Sequence, residues 1–159
     1  MIPAQFLLAL RRFHAGLLDS QIEWAVTGSL GMVLQGMDLP VHDIDIQTDE
    51  DGAYKIERLL AKFVIGPVLY KASERMRSRL GKLEIDGVQV DVIGAIQKRL
   101  PDGTWEPPVQ VALYRRWVDL EGLSIPVLSL EYEYEAYRLM GRDEKAELIR
   151  QWLKKQDPG

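Results

Sequence analysis

The sequence contains no cysteine among its 159 residues. This absence excludes a disulfide framework, a cysteine-ligated zinc or iron–sulfur site and a thiol nucleophile. Long apolar runs are missing too, because Arg11, Arg12 and His14 interrupt the apolar stretch near the N-terminus. We therefore expect neither a signal peptide nor a membrane-spanning segment, and we expect a cytoplasmic protein with no membrane partner.

An excess of positive charge is also absent, since 20 basic and 24 acidic residues give a formal net charge of −4. A protein that binds a long stretch of nucleic acid normally presents a strongly basic face, so the composition argues against this class. The length suffices for one hydrophobic core and is short for two. We expect residues 1–159 to form a single domain, with a core at about 20–130 and C-terminal helices at about 130–155.

Apolar residues in the first half of the chain follow the spacing of alternating helices and strands. The pattern predicts a helix from Phe6 to about Asp19, a strand over Ile22–Val26, a helix over Leu30–Leu34, a strand over Val41–Gln47 and a helix over Asp51–Lys62. Each predicted strand in this half is therefore followed by a helix that returns the chain over the sheet.

The second half contains hairpin signals in place of helical connections. Asp86-Gly87 divides the alternating segment Leu83–Val92 and is typical of a two-residue hairpin. Glu121-Gly122 divides Trp117–Val127 in the same way. Two helices separated by Gly141 are then predicted, over Leu130–Met140 and Asp143–Leu153. The expected fold is α/β (α+β), with a mixed β-sheet, flanking helices and a helical C-terminus.

Three aspartates occupy strand positions whose neighbours are apolar. Asp43 and Asp45 flank Ile44, and residues two apart in a strand project from the same face. Asp91 lies between two valines of a later strand, so its carboxylate faces away from the core. Like charges in contact are unfavourable without a compensating cation, and hard divalent cations such as Mg²⁺ prefer oxygen ligands. The spacing favours a three-carboxylate metal site, which suits phosphoryl or nucleotidyl transfer.

Gly28 and Ser29 follow a predicted strand and precede a predicted helix. A glycine lets the backbone approach a phosphate closely, and a helix that begins at this point offers free N–H groups to a triphosphate. The Ser29 hydroxyl adds a donor. We expect this turn to lie at the surface and to bind the phosphates of a nucleotide.

Three short motifs resemble the DNA polymerase β-type nucleotidyltransferase superfamily. They are Val26-Thr27-Gly28-Ser29, Asp43-Ile44-Asp45-Ile46 and Val90-Asp91-Val92. The most similar branches are the small antibiotic (lincosamide and aminoglycoside) nucleotidyltransferases and the minimal nucleotidyltransferases. The resemblance implies a nucleotidyltransferase-like fold and two Mg²⁺ ions held by Asp43, Asp45 and Asp91. It also implies a nucleoside triphosphate such as ATP at the Gly-Ser turn, and transfer of its nucleoside monophosphate to an unidentified hydroxyl-bearing acceptor.

The C-terminal region resembles these small enzymes more loosely. Its motif Gly141-Arg142-x-x-Lys145 implies that Arg142 and Lys145 contact the nucleotide. Tyr137 stands about where many relatives carry a lysine. The basic contact at that position is therefore missing or is supplied by Arg138 or Lys145.

Two groups of residues keep alternative interpretations. The first group is basic and either faces a polyanionic substrate or is exposed to solvent on an edge strand. It comprises Arg75, Arg77 and Arg79, with Lys71 nearby. The second consists of aromatic residues that either stack on a base or belong to the core, namely Tyr132, Tyr134, Tyr137, Trp117 and Trp152.

An alternative function is that of a nucleotidyltransferase-like antitoxin, which binds a small helical protein. The three aspartates favour retained catalysis over this alternative. The C-terminal helices offer little surface for an acceptor, and in small antibiotic-modifying relatives that site comes from such helices or from a second subunit. Homodimer formation is therefore a further expectation.

Overall fold

A mixed β-sheet forms the centre of the computed structural model, which describes residues 2–157. Within this range the sheet has seven strands, β1 (Trp24–Thr27), β2 (Ile44–Thr48), β3 (Val64–Ala72), β4 (Met76–Ile85), β5 (Val88–Lys98), β6 (Arg115–Leu120) and β7 (Leu123–Leu128). Their order across the sheet is β3-β4-β5-β2-β1-β7-β6. Strand β2 runs parallel to β5 and antiparallel to β1, while β1 runs parallel to β7. The predicted mixed sheet is confirmed.

The helices of the described range are α1 (Ala4–Gly16), α2 (Gly28–Leu34), α3 (Glu50–Leu59), the short α4 (Val111–Tyr114), α5 (Leu130–Leu139) and α6 (Asp143–Gln156). A 3-10 turn, Ala61–Phe63, follows α3. None of these helices is long and apolar enough to cross a membrane. The α+β fold class is confirmed. The expected single domain, 1–159, stays a prediction, and Met1, Pro158 and Gly159 lie outside the described residues.

Both predicted hairpins are present because their turns carry residues suited to a left-handed backbone. Asp86 and Gly87 have φ of 52° and 79°, and Ile85 pairs directly with Val88. Two successive positive φ values are required by the type I′ turn, whose twist matches that of the flanking strands. Glu121-Gly122 joins β6 to β7 with φ values of 49° and 88°.

One face of the sheet is covered by α1 and α3. Alternate strand residues such as Ile44, Ile46 and Val90 point to this face and are fully buried against the two helices. Phe13 of α1 meets Trp24 of β1 edge to face, with ring centroids 5.0 Å apart. Each fully buried side chain of this size contributes about 1.5–3 kcal/mol of transfer free energy, so this layer contains most of the hydrophobic stabilisation.

The opposite face carries α5 and α6, which form a smaller apolar cluster with α2. Its buried members include Met32, Leu130, Tyr137 and Ile149. Ser129 caps α5, since its hydroxyl accepts a hydrogen bond from the Tyr132 backbone N–H at 3.1 Å. The helices cover this face only in part, and the uncovered part holds the three aspartates.

Strand β3 was not predicted. It is an edge strand that contains Gly66 and Pro67, a pair that is typical of a turn, and its pairing with β4 shifts register on both sides of Gly66. Apolar Ile65 and Leu69 occupy exposed positions, so apolar and polar residue types do not alternate along this strand. Helix α1 ends at Gly16, earlier than the predicted end near Asp19, and β1 begins at Trp24, two residues later than predicted.

Candidate active site

The sheet register brings the three predicted aspartates together. Asp45 of β2 pairs directly with Asp91 of the parallel strand β5, and Asp43 immediately precedes β2. One carboxylate oxygen from each residue lies within 4.8 Å of the other two. Asp91 also accepts a hydrogen bond from the Gln89 amide at 2.9 Å. The cluster therefore arises from strand alternation together with parallel pairing of β2 and β5.

The electrostatics of the cluster favour a bound cation. Burial, together with the charges of Asp43 and Asp91, raises the pKa of Asp45 from its ordinary value of 3.8 to about 7. Burial and the Asp91 carboxylate also raise the pKa of Asp43. Lys145 and Arg142 oppose the rise at Asp45 without cancelling it. A divalent cation would compensate these charges, and the all-oxygen ligand set suits Mg²⁺.

Gly28 lies directly behind this cluster. Its φ is +68°, and a Cβ atom on it would lie 2.6 Å from Asp45 Oδ2. The expectation that this turn lies at the surface is wrong, because Gly28 is buried as the first residue of α2. Glycine is required here both by backbone conformation and by the closeness of a carboxylate.

The predicted basic residues approach the cluster from α6, which contains Lys145, and from Arg142, which immediately precedes it. The Lys145 ammonium donates a hydrogen bond to the Ser29 hydroxyl at 3.0 Å. Arg142 lines the same cavity as Gly28 and Asp45. Lys145, and not Arg138, therefore provides a cation beside the Gly-Ser turn, since Arg138 lies over the Tyr134 ring and pairs with Glu135 at 3.6 Å.

Tyr137 lies buried behind this group. The Lys145 ammonium is 5.7 Å from the centre of its ring. Burial and the negative charge of Glu133 raise the pKa of the Tyr137 hydroxyl, which is therefore neutral and available as a hydrogen-bond donor.

The arginines of β4 do not face the aspartates. Arg79 pairs with Glu50 of α3 at 3.1 Å, and Arg77 stacks on Trp105 at 4.5 Å, so both lie on the opposite face of the sheet. The interpretation that the basic residues line the substrate site is therefore wrong for Arg77 and Arg79, whereas Lys71 lines the cavity beside the aspartates. Among the aromatic residues, Tyr132 and Tyr137 line the cavity beside the aspartates. Tyr134 and Trp152 pack against the smaller apolar cluster, whereas Trp117 is 57% exposed on β6.

Sequence reasoning missed Glu133, a carboxyl group buried beside the Gly-Ser turn. The Thr27 hydroxyl donates a hydrogen bond to it. Burial raises the pKa of Glu133 to about 7, although hydrogen bonds from Thr27 and from the Gly28 backbone lower it. The available signal was helical spacing, because Glu133 falls between Leu130 and Tyr137 on the buried face of α5.

Lys98 was also missed. It is only 2% exposed, and its ammonium contacts the Glu106 carboxylate at 2.8 Å and the Tyr132 hydroxyl at 3.0 Å. Burial lowers the pKa of Lys98, but the Tyr132 oxygen and the Glu106 carboxylate outweigh this effect and raise it above its ordinary value. Lys98 is therefore charged inside the protein.

A β-bulge on β5 brings Lys98 to the side of the aspartates. Arg79 of β4 pairs with Gly94 of β5, and Arg77 pairs with Gln97, so between these two pairs β5 contains one residue more than β4. Ala95, within this segment, has a φ of +53°. The extra residue reverses the alternation. Even-numbered residues point to α1 and α3 before the bulge and to the opposite face after it.

A cavity of about 320 Å³ adjoins the aspartates, between the sheet and α5. Asp45, Asp91, Lys98, Glu133 and Arg142 are among its lining residues. The three aspartates, the basic residues of α6 and this cavity together can hold a metal-bound phosphate next to a second molecule.

A family model matches residues 9–152 of the chain, and its family is that of the aminoglycoside-2″-adenylyltransferases. The chain belongs to this family. The resemblance to the small antibiotic nucleotidyltransferases is thereby confirmed, and family membership supports an enzymatic role as a nucleotidyltransferase.

Solved structures agree with this assignment. A Thermotoga maritima protein for which nucleotidyltransferase activity has been proposed is 51% identical, with a TM-score of 0.85; the match covers 98% of this chain and 96% of that one. ANT(2″)-Ia, solved in complex with adenylyl-2″-tobramycin, has a TM-score of 0.62, and the match covers 97% of this chain and 92% of the ANT(2″)-Ia chain. At 14% identity, the second likeness shows the shared fold alone. Comparison with curated proteins finds no match.

Proposed function

We propose that this member of the aminoglycoside-2″-adenylyltransferase family transfers a nucleoside monophosphate from a nucleoside triphosphate to a hydroxyl-bearing acceptor, in a magnesium-dependent reaction. The observation that carries the proposal is the convergence of Asp43, Asp45 and Asp91 within 4.8 Å, with the Lys145–Ser29 pair beside them. The alternative function as the binding partner of a helical protein stays a prediction, as does homodimer formation.

Asp43, Asp45 and Asp91 would hold the metal, for which two Mg²⁺ ions are the expected number. Bound Mg²⁺ would supply charge stabilisation for the attacking and leaving oxygens of a phosphoryl group. The raised pKa of Asp45 supports this assignment, since a buried carboxylate beside two others needs a cation to remain ionised near neutral pH.

Ser29, Lys145 and Arg142 would bind the triphosphate. The Ser29 hydroxyl and the Lys145 ammonium already form one hydrogen-bonded pair at 3.0 Å, which presents a donor and a positive charge at the same place. Arg142 adds a planar guanidinium that suits phosphate oxygens. Gly28 permits this approach because no side chain separates the turn from Asp45.

The acceptor would react at the α-phosphorus, from the side opposite the leaving pyrophosphate. Its hydroxyl oxygen forms a bond to the α-phosphorus as the bond from that phosphorus to the pyrophosphate oxygen breaks, and pyrophosphate leaves with the electron pair. Asp91 lines the cavity and belongs to the cluster, so its carboxylate is placed to accept the proton that the hydroxyl loses.

The test measures how strongly magnesium and nucleotide depend on each other for binding. Thermal unfolding is followed with MgCl₂, with the non-hydrolysable ATP analogue AMPCPP and with both, for the native protein, Asp45→Asn and Asp119→Asn. Asp119 is exposed on edge strand β6 and serves as the matched control. When the ligand concentration is about 100-fold above the dissociation constant, we expect the free energy of unfolding of the native protein to rise by about 2.7 kcal/mol. This corresponds to a rise in melting temperature of about 5–10 °C.

Asp45→Asn should abolish the extra shift that appears when both ligands are present, and Asp119→Asn should retain it. Equal shifts for the native protein and Asp45→Asn would overturn the assignment of the site. Replacement of MgCl₂ by EDTA should remove the shift in the native protein.

A further inference from the structure

Strand β6 is an edge of the sheet, and its outer side has no partner strand among the described residues. It pairs with β7 on one side only. An edge strand presents a row of unpaired N–H and C=O groups, which is a template for pairing with another chain. Near the middle of this edge lies Trp117, which is 57% exposed. The strand is therefore a surface to which a further strand can be added.

The direction of the free backbone groups of β6 follows from its pairing with β7. In an antiparallel pair, residues that bond to the partner strand alternate with residues whose N–H and C=O groups point away from it. Tyr114 bonds toward β7, since its carbonyl accepts the Ser129 N–H at 2.9 Å. Trp117 lies opposite Pro126, which has no N–H to complete a bonded pair. The residues whose backbone groups point to the open edge are therefore Arg115, Trp117 and Asp119.

The side chains of these three residues share one face of the sheet. Val118 and Leu120 pack against the core under α1 and α3, so the odd-numbered residues of β6 project from the opposite face. The Arg115 guanidinium lies 5.3 Å from the centre of the Trp117 ring. Within residues 2–157, neither Arg115 nor Asp119 forms an ion pair. Two opposite charges on this face are thus left for a partner.

The charge pattern of β6 is self-complementary in one register. About a two-fold axis, antiparallel copies of the strand pair so that opposite residues share a face. With Trp117 opposite Trp117 of the second copy, Arg115 lies opposite Asp119 of that copy. Centring the pairing on Arg115, Arg116 or Asp119 would place that residue opposite its own like-charged copy. Centring it on Val118 would place Asp119 opposite Trp117. Among these registers, only the one centred on Trp117 places opposite charges across from each other, which favours pairing.

We propose that two copies of this chain associate through β6, in antiparallel pairing about a two-fold axis at Trp117. The two seven-stranded sheets then form one continuous sheet. An Arg115–Asp119 ion pair lies on each side of the two Trp117 side chains, and the edge N–H and C=O groups of both strands gain partners. This dimer does not depend on the proposed reaction. Strand β2, which carries Asp45, lies three strands from β6, so the aspartates stay accessible.

The dimer should be weak, because contact through one pair of strands is small. Small interfaces are typical of transient complexes, and we expect a dissociation constant above about 10 µM. Unfolding experiments with Asp119→Asn, run at about 1 µM protein, therefore compare monomers.

The test is sedimentation equilibrium of the native chain between about 1 and 500 µM, in EDTA without nucleotide. Two charge reversals probe the ion pairs. Arg115→Asp places two carboxylates opposite each other at both ends of the interface, and Asp119→Arg places two guanidinium groups there. Arg116→Asp is the matched control. It changes the net charge as Arg115→Asp does, but its side chain lies on the other face, opposite Val118 of the second copy.

We expect the native protein and Arg116→Asp to form dimers whose dissociation constants agree within about threefold. Arg115→Asp and Asp119→Arg should each weaken the dimer about tenfold or more, because the two-fold axis repeats the repulsion at both ends. An equimolar mixture of these two variants should form a heterodimer with about the native affinity. In that heterodimer, every contact between positions 115 and 119 again joins opposite charges.

A monomer over the whole concentration range would overturn the proposal. A dimer that both reversals leave unchanged, or a mixture that stays monomeric, would overturn it too. Species larger than a dimer would indicate head-to-tail pairing of β6 with another edge, such as β3 of the next copy, and would also count against it. Circular dichroism checks the folding of each variant. Should Arg115→Asp fail to fold, Asp119→Arg must still weaken the dimer, since Asp119 is exposed.

Discussion

Replacing Asp45 by asparagine should stabilise the metal-free protein at alkaline pH. In the folded chain Asp45 retains its proton up to about pH 7, whereas an aspartate in the unfolded chain releases it near pH 3.8. The unfolded state therefore binds fewer protons between these values, and the native protein loses stability as the pH rises through this window. Asparagine carries no charge and does not contribute to this loss.

The size of the effect follows from the pKa of Asp45. A rise of the pKa of Asp45 from 3.8 to about 7 lowers the free energy of unfolding at pH 8 by about 4 kcal/mol. Each pKa unit is worth about 1.4 kcal/mol. This pKa already includes the attraction of Lys145 and Arg142, which oppose its rise. We expect Asp45→Asn to be more stable than the native protein by about 2–4 kcal/mol at pH 8, and by about half as much at pH 5.

The assay is urea unfolding in EDTA at pH 5 and pH 8, followed by tryptophan fluorescence, with Asp119→Asn as the exposed control. Addition of Mg²⁺ at pH 8 should stabilise the native protein and leave Asp45→Asn almost unchanged. If Asp45→Asn is no more stable than the native protein at pH 8, burial and like charge do not govern this site. A gain of the same size in Asp119→Asn would assign the effect to net charge instead.

Two further predictions concern the Gly-Ser turn and its support. Gly28→Ala should cost more stability than Gly87→Ala in thermal unfolding and should also weaken Mg²⁺ binding. Both glycines have positive φ, but only at Gly28 would a Cβ meet Asp45 Oδ2, at 2.6 Å; equal losses would refute the crowding argument. Glu133→Gln should raise the free energy of unfolding at pH 8 by about 1–3 kcal/mol and by less at pH 5, because the pKa of Glu133 is raised from 4.5 to about 7. If urea unfolding shows the same change in free energy for Glu133→Gln at pH 5 and at pH 8, this prediction is wrong.

Strand alternation was sufficient to predict the aspartate cluster. Ile44 and the valines beside Asp91 pointed to one face, so the carboxylates had to point to the other, and the parallel pairing of Asp45 with Asp91 completed the arrangement. Both hairpins were predictable from local sequence, since Asp86, Gly87 and Gly122 readily adopt a left-handed backbone. The direction of each carboxylate and the form of each turn depend on neighbours within a few positions along the chain, whereas the pairing of β2 with β5 does not.

The rest of the site depends on contacts that no local pattern encodes. Glu133 resembles an ordinary acid in the first turns of a helix until α5 packs against Thr27. The sequence pattern does not place Lys98 in the site, because alternation continued through Ala95 would put it on the other face. Strand β3 was obscured by Gly66-Pro67, which is tolerated because the strand lies at the sheet edge. In each case tertiary packing overrode the local signal.

The bulge at Ala95 divides β5 into two segments that can evolve under different constraints. The segment before it carries Asp91 and must keep its register with β2, whereas the segment after it carries Ile96 and Lys98, which only shape the cavity. Substitutions beyond Ala95 can therefore change the shape of the cavity without moving the carboxylates. One extra residue in β5 thus separates the part of the strand that holds a carboxylate from the part that forms the cavity wall.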